Sequence, residues 1–117
     1  MGEKWKIVYF EISAGKFPVK EFIDNLDEKA KAKVINALDL LTEFGTSISW
    51  PHAKKLTGTL LWELRTVGSN NIRIFYVAVV GKSFLLLHAF QKKKQKTDRK
   101  EIKLAEERLK NYYLRLK

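Results

Sequence analysis

The sequence predicts an α+β domain, and three observations carry that prediction. Residues 60–99 hold three apolar runs rich in β-branched and aromatic residues, separated by turns at Gly68-Ser69-Asn70-Asn71 and Gly81-Lys82-Ser83. This is the pattern of an antiparallel meander. Ahead of it, a strand-like run at Trp5–Phe10 is followed by two stretches of helical periodicity. Behind it, one more amphipathic helix closes the chain. The order β-α-α-β-β-β-α implies a small, twisted, mainly antiparallel sheet with an N-terminal helical hairpin and a C-terminal helix.

In Trp5–Phe10, Trp5, Ile7 and Tyr9 share one face, and Val8 and Phe10 make the other apolar too. Ser13-Ala14-Gly15 ends the run. Pro18 suits the first turn of a short helix over Val19–Leu26, with Phe22, Ile23 and Leu26 on one side. Asp27 is the expected N-cap of a longer helix to Phe44, and Gly45 is its stop. Along it Val34, Ala37, Leu38, Leu41 and Phe44 recur at helical spacing. The two helices should form a hairpin on one face of the sheet. Trp50-Pro51 leaves the helical path, and His52–Thr59 reads as a basic loop feeding the meander. Asp98 and Glu101 stand at capping-box spacing before the last helix, which carries Ile102, Ala105, Leu109, Tyr112, Tyr113 and Leu116 at spacings of three and four. Without a repeat, a low-complexity tract or a linker, residues 1–117 read as a single domain.

The chain has 117 residues and no cysteine, which excludes a disulfide framework, a thiolate metal site and a cysteine nucleophile. No apolar run approaches the roughly 20 residues of a membrane span, and MGEKWKIVYFEI lacks a signal-peptide layout. The expectation is a cytoplasmic protein. The net charge of +10 is unevenly spread: −1 over residues 1–50, +9 over 51–100 and +2 over 101–117. A positive excess gathered in one segment points to a polyanion, most simply nucleic acid. A lysine-rich solvated surface has the same composition.

Alternation in LLWELR puts Leu61, Glu63 and Arg65 on one face and Trp62 and Leu64 on the other. In NIRIFYV, Arg73, Phe75 and Val77 oppose Ile72, Ile74 and Tyr76. The turn between the two strands brings Arg65 near Arg73. Like charges side by side on a sheet are destabilising, and they persist more readily where a phosphate sits between them. The alternative is that Glu63 neutralises one and solvent screens the other. The third meander run, Phe84–Phe90, delivers Gln91-Lys92-Lys93-Lys94-Gln95-Lys96, and Lys54 and Lys55 precede the first.

Other chemistry is sparse. His88 is a lone histidine in an apolar strand, more often structural than catalytic. Two histidines without cysteine disfavour a transition-metal site, and no phosphate-binding glycine motif occurs. Most of the aromatics read as core; Trp50, beside Pro51, is the one expected in solvent.

The ordered motifs Lys55-Leu56-x-Gly58-x-Leu60-x-Trp62-Glu63-Leu64-Arg65, Ile72-Arg73-Ile74-Phe75-Tyr76 and Leu86-Leu87-His88-Ala89-Phe90-x-Lys92-Lys93, followed by Gln95-Lys96-Thr97, resemble the HigB-like, phage-derived branch of the RelE/ParE toxin superfamily. The resemblance runs from Lys55 to about Leu109, and the β-α-α start agrees with it. It implies a RelE-like fold and the toxin of a toxin–antitoxin pair, cutting messenger RNA on the ribosome without metal or cofactor. In that chemistry the ribose 2′-oxygen attacks the adjacent phosphate. Carried over by position, Arg65, Arg73, Lys92 and Lys93 would be catalytic. Lys54, Lys55, Lys94, Lys96 and Arg99 would contact RNA, with His88 as a possible accessory. Proton transfer requires a lysine of lowered pKa or the histidine. The implied partners are the messenger RNA, the ribosome and an antitoxin from an adjacent gene, of the helix-turn-helix kind, forming a toxin–antitoxin hetero-oligomer. The chain departs from the branch in having Lys94 where Thr is usual and Asp98 where Pro is usual. No tyrosine aligns clearly with the stacking or acid role found in some relatives, so the general acid stays unassigned. A ParE-like gyrase inhibitor of the same fold, and a nucleic-acid-binding module that binds through the basic face without catalysis, remain the alternatives.

Overall fold

A computed structural model describes residues 4–68 and 71–116. It comprises β1 (Lys6–Tyr9), α1 (Pro18–Asp24), α2 (Glu28–Phe44) with a short 3-10 turn at Gly45–Ser47, β2 (Ala53–Lys55), β3 (Trp62–Arg65), β4 (Ile72–Val79), β5 (Ser83–Gln91) and α3 (Arg99–Arg115). The five strands form one sheet in the order β1-β5-β4-β3-β2. β1 runs parallel to β5, and the other pairs are antiparallel. The fold is therefore the α+β class the sequence implies, with one strand more. The stretch read as a basic loop contains β2, whose Ala53, Lys54 and Lys55 pair with Leu64, Glu63 and Trp62. Three residues carry too little pattern to announce an edge strand; the pairing partner decides it. Of the first meander turn, Ser69 and Asn70 lie outside the described residues.

Two layers of helix cover the sheet. The α1–α2 hairpin buries Val19, Ile23, Val34, Leu38 and Leu41 against Leu64, Ile74, Tyr76 and Leu86. On the opposite face α3 buries Ala105 and Leu109 against Phe75, Leu85, Leu87 and Phe90. The alternation read for β3 and β4 is thus the one observed. Helix α1 ends at Asp24, short of Leu26. Helix α2 starts and stops where expected: the Asp27 carboxylate accepts from the Ala30 amide at 2.8 Å, and Gly45 follows Phe44 with φ +56°. A Cβ at Gly45 would run into the Trp5 indole, so glycine is required there for space as well as for backbone. Phe44, Tyr113 and Leu116, expected on apolar faces, are exposed, at or just beyond the last turns of their helices. Val8 is exposed as well, on an edge strand that α3 does not cover.

One irregularity repositions a side chain. Phe75 pairs with His88 but Tyr76 pairs with Leu86, so Leu87 is an extra residue in β5. This bulge lets Leu87 and His88 both face α3. With unbroken alternation His88 would share Leu86's face, beneath the helical hairpin.

Candidate functional site

The turn between β3 and β4 sets Arg65 directly opposite Arg73. Both guanidinium groups converge on one carboxylate. Glu63 Oε1 lies 3.9 Å from Arg65 Nε and 3.6 Å from Arg73 Nε. Glu63 is 2% exposed and Arg73 4%. The like-charged pair is therefore not held apart by an open anion site between the two strands: Glu63 occupies that role from within the same face. Arg73 donates to the Ile72 carbonyl through Nη1 at 3.1 Å, while its buried Nε has no hydrogen-bond partner among the described residues. Burial lowers its pKa, Arg65 adds to that, and Glu63 opposes it. Arg65 is the outward member, its side chain 20% exposed. Its guanidinium carbon lies 4.3 Å above the centre of the Trp50 ring.

Two more cations join the group. Lys54 pairs across the edge with Glu63, so it projects on the same face. Lys92 enters as β5 ends, its amide donating to the Asn71 carbonyl at 2.8 Å. Partial burial pulls the Lys92 ammonium below an ordinary lysine. Glu63 opposes that pull, and Arg73, Arg65 and Lys54 reinforce it. An open cleft of ≈ 300 Å³ is lined by Asn71, Arg73, Lys92, Lys93, Lys94 and Gln95. A second hollow of ≈ 160 Å³ shares Lys92, Lys93 and Lys94 and continues past Lys96 and Lys100 to Glu101. The lysine loop is thus a wall between two hollows, with its base held by β5.

The other sequence candidates divide. Lys94 and Lys96 line these hollows, whereas Arg99, the first residue of α3, lines neither. Lys55 alternates to the opposite face beside Trp62, and its ammonium caps the Thr59 carbonyl; it is not brought to the cluster. His88 Nε2 meets Glu101 Oε1 at 3.1 Å. Asp98 caps α3 alone, accepting from the Lys100 amide at 3.1 Å, because the Glu101 carboxylate is engaged with the histidine instead of completing a capping box. Burial lowers the His88 pKa, against the pull of Glu101. His88 lines neither hollow and serves to tie β5 to α3. Among the described residues no three His, Asp or Glu side chains gather as metal ligands. Sequence reasoning placed Trp50 in solvent, on its position beside Pro51, but did not single it out as a neighbour of the cluster.

Fold and site together define a small RelE-like α+β protein with a cationic cleft at one end of its sheet. The family model described as phage derived protein Gp49-like (DUF891) matches residues 21–110, and the chain belongs to that family. This is a toxin-like family of the RelE kind, associated with the toxins of toxin–antitoxin pairs. No curated protein matches the chain significantly. Among the described residues no helix is long and apolar enough to cross a membrane.

Proposed function

We propose that the protein is the toxin of a HigB-like toxin–antitoxin pair and acts as a metal-independent endoribonuclease on ribosome-bound messenger RNA. The observation that supports this best is the convergence of Lys54, Arg65, Arg73 and Lys92 about the buried Glu63 carboxylate, with Arg73 and Lys92 also lining an open cleft and the Lys92 ammonium pulled down. A lysine of lowered pKa holds a fraction of neutral amine that can accept the 2′-hydroxyl proton. The 2′-oxygen then bonds to phosphorus and the bond to the 5′-oxygen breaks. The leaving oxygen takes a proton from a neighbouring ammonium of the loop, Lys93 or Lys94. Arg65 and Lys93 stabilise the charge that builds on the phosphorane oxygens. Arg73, buried against Glu63, contributes through its field. A partner that silences the toxin would place acidic residues over this cleft.

Induced expression with mapping of messenger RNA 5′ ends tests the reading. New 5′ ends that require the cleft residues support it. Lys92→Arg keeps the charge but cannot deprotonate, so it should bind RNA as the parent does and cut far more slowly. The pairing of Arg73 with Glu63 favours a second reading, a nucleic-acid-binding module without catalysis. Tight binding with no new ends would move the conclusion there, and inhibited gyrase supercoiling without cleavage would move it to a ParE-like toxin.

A further inference from the structure

Trp50 is 64% exposed, whereas Trp5 and Trp62 pack on the core. Its position is nonetheless fixed. The His52 and Ala53 amides both donate to the Ser49 carbonyl, at 2.9 and 3.1 Å, closing a turn around Trp50 and Pro51. The Arg65 amide donates to the His52 carbonyl at 2.8 Å, fastening that turn to the end of β3. The Arg65 guanidinium then lies over one face of the indole. A large apolar ring is thus held in water, at the rim of the cationic group, by contacts that do not bury it. The cation–π contact adds modestly at an exposed site and leaves most of the ring surface open.

Resting on the RNA-directed reading above, we infer that Trp50 is a stacking platform for one nucleobase of single-stranded RNA, next to the phosphate that Arg65 holds. The chemistry beside the ring argues for nucleic acid over a protein partner. Cations on β2 and β3 and just past the end of β5 suit phosphate, and in a nucleotide chain every phosphate is flanked by a base with an exposed π-face. Unstacked bases on aromatic side chains and guanidinium planes are the usual means of holding single strands. Trp50 is assigned to binding and register, not to the reacting atoms.

The test compares the binding of a short single-stranded oligoribonucleotide with that of its abasic counterpart of equal phosphate number, at fixed low salt, by fluorescence anisotropy. Trp50→Ala should weaken binding of the base-bearing strand by about five- to a hundredfold and leave the abasic strand unchanged. Trp50→Phe should recover most of the loss, which also shows that the turn still folds. If Trp50→Ala weakens both strands alike, the ring merely positions Arg65 and the stacking inference is overturned. If it weakens neither while the parent binds RNA in a salt-dependent way, the inference fails and the RNA reading stands. If the parent binds neither strand, the platform for single-stranded RNA is overturned, while the mapping of messenger RNA 5′ ends decides the reading of ribosome-bound cleavage separately.

Discussion

Replacing Glu63 by Gln removes the negative charge on which Arg65 and Arg73 converge while keeping volume and shape. At an effective dielectric of about 20, the separations of 3.6 and 3.9 Å correspond to attractions of about 4.6 and 4.3 kcal/mol. The Arg65 share is screened, because that side chain reaches solvent. The Arg73 share is not, because removing one partner of a buried pair leaves an uncompensated charge, at a cost of about 3–5 kcal/mol. Neither contact is a hydrogen bond, so the lower end applies, about 3 kcal/mol. That is a large fraction of the roughly 5–15 kcal/mol that holds such a domain. It corresponds to a fall in Tm of about 12 °C at roughly 4 °C per kcal/mol. Urea and thermal unfolding followed by circular dichroism measure it. The double variant Glu63→Gln/Arg73→Met should regain most of the loss, since both charges are then gone. Titration of Lys92 offers an independent readout: without Glu63, which opposes the downward pull, its amine should shift further down. A Glu63→Gln variant that melts within about 3 °C of the parent, with Lys92 unmoved, would refute the view that this carboxylate organises the cluster.

Three further outcomes are expected. Arg65→Ala should keep the fold, whereas Arg73→Ala should destabilise it by leaving Glu63 less compensated; in cleavage assays the Arg65 change should cost about 3–4 kcal/mol of transition-state stabilisation, a hundred- to thousandfold in rate. The log of RNA affinity should fall linearly with log salt, and neutralising Lys92, Lys93 and Lys96 should flatten the slope by roughly two units, at about 0.7 per contact; an unchanged slope would argue for a solvated loop. The His88 pKa is lowered in the folded chain from 6.5, so the unfolded chain binds the extra proton first. Stability should therefore fall as pH drops from about 6.5 toward the lower folded value, and that dependence should be weaker in His88→Gln, measured by denaturant midpoints across the range.

Much of the architecture was already legible in the residues, because it rests on local signals. A period of two divides β4 into an Arg73-Phe75-Val77 face and an Ile72-Ile74-Tyr76 face, and the antiparallel register with β3 sets Arg65 opposite Arg73. Asp27 and Gly45 bound α2 through hydrogen bonds and backbone geometry within a few residues of themselves. Tertiary structure decided what depends on partners distant in the chain. β2 exists because β3 offers it an edge. Leu87 is the extra residue of a bulge only relative to β4, and that offset turns His88 toward Glu101. Glu63, weighed in the sequence as neutralising one arginine, answers to both, and Trp50 meets Arg65 through a turn that hydrogen bonds fasten to the end of β3. The physical reason is one of range. Periodicity and capping act over a single turn or strand, where the sequence itself supplies both partners. The partner of an ionised group is set by separations of a few ångströms between strands, which only the assembled sheet defines.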